Sequence, residues 1–254
     1  MTYTAVVLAG SRPGRDAFAE QYGASLKALI PIGGEPMVRR PVCALLSSDC
    51  IGSVIVMTQR PDEIAPALPS DARLSIRSSG ESIASTMLAL CSDSDARWPL
   101  LVTTADHALL DDATVDEFCA AAVDRDIAIG VVEHGAVLRR LPGTRRTWLK
   151  FRGGAYTGAN LFALRSQAVA PVIELWRSVE QDRKKGFRLI SLLGPLVLMG
   201  VALRLLTIDQ ALNRLGAKFG LKVGAVQLSN PLAGVDVDKP EDHSLAEAII
   251  GGRA

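Results

Sequence analysis

The sequence predicts one α/β domain built on a mostly parallel sheet with helices on both faces, and three observations lead there. Short β-branched runs recur along the first half of the chain, separated by helical patterns: TAVVLA at 4–9, SVIVMT at 53–58, ARLSIR at 72–77, PLLVTT at 99–104 and IAIGVV at 127–132. Two of these runs, AVVLA and LLVTT, are apolar on both faces, as strands must be when helices cover the sheet on both sides. The 254 residues are 48% apolar and 22% charged, enough for one sizeable core, and no shift in composition marks a linker.

The opening MTYTAVVLAG lacks a basic segment and reads as the first strand rather than a secretory leader, so a cytoplasmic protein is expected. A helix over Met37–Ser47 leads to SVIVMT. Ile83–Ser92 is the helix between ARLSIR and PLLVTT, and Ala113–Asp124, led by Asp111 and Asp112 as candidate N-caps, precedes IAIGVV. Beyond Val132 the pattern changes. RRTWLKFRGGAYTGANLFALR carries aromatics, glycine pairs and basic residues, and a helix from Gln167 to Arg183 opens a helical stretch over about 167–220.

That stretch contains an apolar insertion near the C-terminal third, Leu189–Leu206, close to bilayer-spanning length but interrupted by Pro195 and Arg204. It follows Arg183, Lys184, Lys185 and Arg188, an arrangement that suits a membrane surface. It equally suits a helical subdomain buried against the rest of the protein or against a second copy in a homodimer, split into two helices at Gly194-Pro195. Burial is the favoured expectation.

Charge and cysteine usage exclude several function classes. Lys plus Arg number 28 against 27 for Asp plus Glu, so no broad positive field exists to hold a nucleic-acid backbone, and an anionic ligand must meet a local basic site. Cys43, Cys50, Cys91 and Cys119 form no CxxC or Cys/His spacing, which leaves them as reduced, buried thiols.

Ligands of open parallel sheets gather at the carboxyl ends of the strands. The first strand ends there in LAGSRPGRD, with Gly10, Ser11, Arg12, Gly14 and Arg15, and Lys27 follows in SLKALIPIGGEPM. Glycines let backbone N–H groups approach phosphate oxygens, while arginine and lysine neutralise a triphosphate and stabilise a pyrophosphate leaving group. The loop is neither GxxxxGK[ST] nor GxGxxG, which excludes the Walker-type cradle and the dinucleotide turn.

VVLAGSRPGRD with KALIPIGGEPMVRR resembles the opening of the nucleotidyltransferases related to molybdopterin guanylyltransferase, the MobA-like NTP transferases, and of the sugar-phosphate nucleotidylyltransferases. LVTTADHALL, TGANLFALR and GVDVDKPEDHSLAEAII resemble three later segments of that family, in the same order. Ser11 stands where many members have a second glycine, and the spacer from Arg15 to Lys27 is longer than is usual there.

The resemblance implies the nucleotide-diphospho-sugar transferase (GT-A-like) form of a Rossmann-like fold, with residues 1–132 binding an NTP and 133–254 binding the acceptor. It implies transfer of NMP from an NTP (CTP, GTP or UTP) to a phosphorylated small molecule, with release of pyrophosphate and with Mg²⁺ as cofactor. Leu8, Ala9, Gly10, Ser11, Arg12 and Gly14 would then bind the nucleotide, joined by Gln59, Gly80 and Ser82 at the base. Arg15, Lys27 and Asp106 would be catalytic. Asp106 would bind the metal with Asp238 as first choice and Asp236 as second, because alternate residues of an extended segment share a side.

Lys150, Thr157, Gly158 and Asn160 would hold the acceptor, a lipid precursor if the apolar insertion meets a membrane. His107 adjoins Asp106, but an acceptor phosphate already ionised near neutral pH needs no general base, so a structural role is expected for it. Two other readings remain open at this stage. One is a nucleotide-sugar-dependent glycosyltransferase, from the DxD form of Asp236-Val-Asp238. The other is a non-catalytic nucleotide-binding protein.

Overall fold

The protein is described by a computed structural model covering residues 1–11, 14–93, 96–181 and 195–252. In chain order the elements are β1 (Tyr3–Leu8), α1 (Ala17–Gln21), β2 (Pro31–Ile32), β3 (Glu35–Pro36), α2 (Arg39–Ser47), β4 (Ile51–Thr58), α3 (Pro61–Ile64) and β5 (Leu74–Ser78). They continue with α4 (Ile83–Ser92), β6 (Leu100–Thr104), α5 (Asp112–Ala122), β7 (Ile127–Glu133), α6 (His134–Arg140), β8 (Leu149–Phe151) and β9 (Gly154–Leu164). The last are α7 (Ala170–Gln181), α8 (Pro195–Ala202), α9 (Ile208–Ala217), β10 (Val223–Gln227) and α10 (Pro240–Ile250).

The main sheet runs β10-β7-β9-β6-β1-β4-β5, with β8 paired on β9. β1 pairs in parallel with β4 and β6, β4 with β5, and β7 with β10, so the sheet is mostly parallel and forms a single α/β domain as expected. Side chains of β1 alternate between two cores because the strand period is two. Ala5 and Val7 pack with Val42, Leu45 and Phe118, from α2 and α5, on one face. Val6 packs with Met87, Val102 and Ile173, bringing α4 and α7 onto the other. Full burial of each of the larger of these side chains, Val, Leu, Ile, Met or Phe, contributes roughly 1.5–3 kcal/mol, so the central strands are held rigidly and their carboxyl ends are fixed points for the loops that follow.

Local chemistry sets the helix starts. Asp111, rather than Asp112, caps α5 by accepting a hydrogen bond from Thr114 N at 2.8 Å. Ser82 and Ser85 form a reciprocal capping box on α4, Ser85 N donating to Ser82 Oγ at 3.2 Å and Ser82 N to Ser85 Oγ at 2.9 Å.

The second half departs from the sequence expectation. β9 is a long antiparallel strand inserted between β6 and β7, and β10 returns beside β7. Gly154, Gly158 and Asn160 interrupt the alternation that would have marked β9, and the strand carries a register shift opposite Ile129 and Val131.

Of the apolar insertion, residues 189–194 lie outside the described residues. In the remainder Leu206 is 7% exposed, whereas Met199, Leu203 and Leu205 are 53%, 61% and 58% exposed. Burial within the chain therefore holds for Leu206 and not for those three. No helix among the described residues is long and apolar enough to cross a membrane.

Candidate functional site

The carboxyl ends of β1, β4 and β6 open into a cleft of about 770 Å³. Leu8, Ala9, Gly10, Ser11, Arg15 and Lys27 line one side of it, Gln59, Gly80 and Ser82 another, and Asp106 and Asp238 its floor. Loops far apart in sequence thus meet where a parallel sheet is expected to bind its ligand. Arg12 lies outside the described residues.

The centre of the cleft is a lysine between two aspartates. Lys27 Nζ donates to Asp106 Oδ2 and to Asp238 Oδ1, each at 2.5 Å. Asp106 is positioned by the end of β6, where Thr104 Oγ1 also donates to its Oδ1. Burial alone would lower the Lys27 pKa, but the carboxylates of Asp106 and Asp238 outweigh it and leave the ammonium above its ordinary value. Burial likewise acts to raise Asp238, and the contact with Lys27 more than offsets it, so this carboxyl lies below its usual range.

Asp236 has a different partner. Arg146, with only 7% of its side chain exposed, donates through Nη1 to Asp236 and through Nη2 to Asp242 Oδ1 at 3.1 Å. Burial, and then the adjacent Asp238 charge, push the Asp236 carboxyl up to about 6. Asp242 Oδ2 in turn accepts from Asp238 N at 3.3 Å. Arg146 therefore ties Asp236 to Asp242, whose other oxygen holds the Asp238 backbone, a role that sequence reading did not assign. The acidic DVDKPED cluster invites a nearby cation, but nothing in its spacing points to Arg146, 90 and 96 residues away.

Among the described residues no group of three or more His, Cys, Asp or Glu side chains is arranged to hold a metal ion. Asp106 and Asp238 do converge on one cation, the Lys27 ammonium. Two carboxylates facing an open cleft match the needs of Mg²⁺, which takes one or two protein carboxylates and fills its octahedron with phosphate oxygens and water.

The wall beside Lys27 is tied together by Gln59. Its Oε1 accepts from Ser11 N at 3.0 Å and its Nε2 donates to Gly80 O at 3.1 Å, joining the loop after β1 to the loop after β5. Ser79 Oγ, in the same wall, is buried without a hydrogen-bond partner. Gly14 has φ +104°, a conformation that side chains with a Cβ rarely adopt, and Arg15 beside it is 89% exposed and paired with Glu20 at 2.6 Å.

The four acceptor candidates do not line this cleft. Lys150 is exposed on β8, and Thr157 is 8% exposed. Gly158 is exposed with open space above it, and Asn160 has φ +47° at the irregular part of β9. The antiparallel register places Asn160 two residues beyond Phe162, which faces Val102, and so toward the end of β6 that carries Asp106. His107 is 1% exposed, within 3.2 Å of Thr103 Oγ1 through Nδ1, and burial pushes its pKa down to about 4. It lies in the protein interior, as the structural expectation required.

The family model of the MobA-like NTP transferase domain matches residues 5–191. A hypothetical transferase from Thermus thermophilus is similar over 96% of this chain and 100% of its own, with 30% identity and a TM-score of 0.79. Two more distant structures share the fold. The 4-diphosphocytidyl-2C-methyl-D-erythritol synthase from Anaerococcus prevotii is 10% identical over 98% of this chain and 96% of its own, with a TM-score of 0.61. The CMP:2-keto-3-deoxy-manno-octonic acid synthetase complexed with CTP is 13% identical over 100% of both chains, with a TM-score of 0.60. No curated protein matches the chain.

Proposed function

The chain belongs to the MobA-like NTP transferase family, and from that premise we propose that it transfers the NMP of CTP, GTP or UTP to a phosphorylated small-molecule acceptor, releasing pyrophosphate. The observation that carries this reading is the Lys27 ammonium held between Asp106 and Asp238 on the floor of the cleft. A cation already sits where the charge of a triphosphate would have to be neutralised.

An acceptor phosphate oxygen attacks the α-phosphorus of the NTP. The new P–O bond forms as the bond to the bridging oxygen breaks, and pyrophosphate carries away the electron pair. An ionised phosphate needs no general base, in keeping with the burial of His107. Asp106 and Asp238 would hold Mg²⁺, which supplies charge neutralisation on the phosphates. Lys27 and Arg15 stabilise the departing pyrophosphate, and the backbone of Ala9–Ser11 lies along the triphosphate, held by Gln59. Gly80 and the Ser79 hydroxyl face the base.

The fold relatives whose names contain cytidyl chemistry or CTP make CTP the first nucleotide to test. The test is pyrophosphate release with each NTP across a panel of phosphorylated acceptors, with and without Mg²⁺. Asp106→Ala is expected to keep its fold and lose turnover, and near-normal turnover by that variant would exclude its metal role. Release of a nucleoside diphosphate from a nucleotide sugar would instead favour a glycosyltransferase.

A further inference from the structure

The end of α8 presents its apolar side chains to solvent. Leu203 N donates to Met199 O at 2.8 Å, so these two side chains stand one helical turn apart on the same face, and both are exposed. Gly200 O then accepts from Leu205 N at 2.7 Å and from Leu206 N at 3.3 Å, which closes the helix with Arg204 at φ +54°, a conformation that glycine usually supplies at a helix end. Leu206 folds back on Gly200 and is buried, while Leu203, Arg204 and Leu205 are left exposed side by side.

This turn has a fixed base. Leu206 O accepts from Arg152 N at 2.8 Å, which ties it to the turn between β8 and β9. Thr207 then starts α9 with a reciprocal capping box, Gln210 N donating to Thr207 Oγ1 at 3.2 Å and Thr207 N to Gln210 Oε1 at 3.1 Å.

Charge decides what could cover the exposed leucines. Arg204 stands between them and Arg152 beside them, both exposed and neither with a carboxylate within ion-pair distance among the described residues. Over residues 183–208 the sequence holds Arg183, Lys184, Lys185, Arg188 and Arg204 and no acidic residue. A second copy related by a two-fold axis would set this like-charged surface against itself, which is repulsive. Three aliphatic side chains also fall far short of the roughly 800 Å² per partner that a stable protein interface buries. A few aliphatic side chains with cations around them match the interfacial zone of an anionic bilayer instead, where shallow apolar burial and headgroup charge act together.

We propose that the turn over residues 199–205 docks the protein on an anionic lipid surface. Met199, Leu203 and Leu205 enter the acyl boundary, and Arg204 and Arg152 meet the lipid phosphates. This goes beyond the transfer reaction and does not depend on it.

The full chain is sedimented with vesicles of phosphatidylcholine alone and with vesicles of phosphatidylcholine and phosphatidylglycerol in equal parts. Binding to the mixed vesicles only, weakened as salt is raised, is the expected result. Leu203→Ser combined with Leu205→Ser should weaken that binding by about tenfold or more through lost apolar burial, with an unchanged melting temperature because both side chains are already exposed. Arg204→Gly suits the positive φ and removes one charge, so it should keep the turn and weaken binding by about fivefold. A wild type that stays in the supernatant at low salt, equal binding to both kinds of vesicle, or undiminished binding by either variant overturns the proposal. So does a wild type that sizes as a dimer beside a double variant that sizes as a monomer, since the turn would then be a contact between copies.

Discussion

Lys27 Nζ lies 2.5 Å from Asp106 Oδ2, and the same nitrogen holds Asp238 at the same distance. The lysine thus occupies the ground between the two carboxylates proposed to bind Mg²⁺. A divalent ion and the ammonium cannot both sit there without strong repulsion, roughly 4 kcal/mol per pair of unit charges 4 Å apart in a partly buried setting. The phosphates of an NTP would draw Lys27 away and let the metal in.

Lys27→Met should therefore bind Mn²⁺ more tightly than the wild type in the absence of nucleotide, by on the order of tenfold, because about 1.4 kcal/mol of competition is removed. Its turnover should fall, since the same ammonium is then missing from the leaving group. Paramagnetic titration of the nucleotide-free protein reads the first effect apart from activity. Weaker Mn²⁺ binding in the variant would show that the lysine organises the carboxylates rather than competing for them.

Gln59 supplies a second test. The two hydrogen bonds of its side-chain amide link Ser11 N to Gly80 O, in the loops proposed for the triphosphate and the base. Each bond contributes about 1 kcal/mol net, so Gln59→Ala should weaken NTP binding by about tenfold while changing the melting temperature little. Gln59→Glu keeps the acceptor for Ser11 but puts negative charge against Gly80 O, and should bind no better than the alanine variant. Equal NTP affinity in all three proteins would remove Gln59 from the site.

The runs TAVVLA, SVIVMT and PLLVTT were legible in the sequence because unbroken β-branched patterns and turn residues are local signals. The loops at their ends followed from strand order alone. β9 was not legible, since Gly158 and Asn160 break its period and only pairing with β6 and β7 makes it a strand. Lys27 was placed against phosphates and the aspartates against a metal. That they pair with one another without a ligand depends on contacts across 79 and 211 residues of chain, which no spacing encodes. Arg146 was missed for the same reason, its partners lying 90 and 96 residues away.

His107 gives the molecule a pH dependence with a definite sign. Burial holds its pKa at about 4 in the native state, against roughly 6.5 in the unfolded chain. Between those values the unfolded state binds the extra proton, so stability falls as pH drops from 6.5 to 4 and is unaffected by this group above that range. The difference corresponds to about 3 kcal/mol. Urea unfolding of metal-free protein at pH 7.5 and near pH 4 should show His107→Gln losing less stability than the wild type by about that amount, and equal losses would place the proton elsewhere.

Arg146 is the last test, because it separates support of the acidic segment from contact with substrate. Its guanidinium and Asp242 are each nearly buried, with 7% and 9% of their side chains exposed, and Asp236 completes the group. Removing the cation strands carboxylates that are partly or wholly desolvated, which typically costs about 3–5 kcal/mol when a buried pair is broken from one side. Arg146→Met should therefore be strongly destabilised. Adding Asp242→Asn should restore part of the loss by withdrawing one of the stranded charges, and that recovery distinguishes charge imbalance from a simple packing defect. A single variant whose unfolding midpoint in urea matches the wild type would mean that the acidic segment holds its shape without this arginine. The positioning of Asp238 would then need another source.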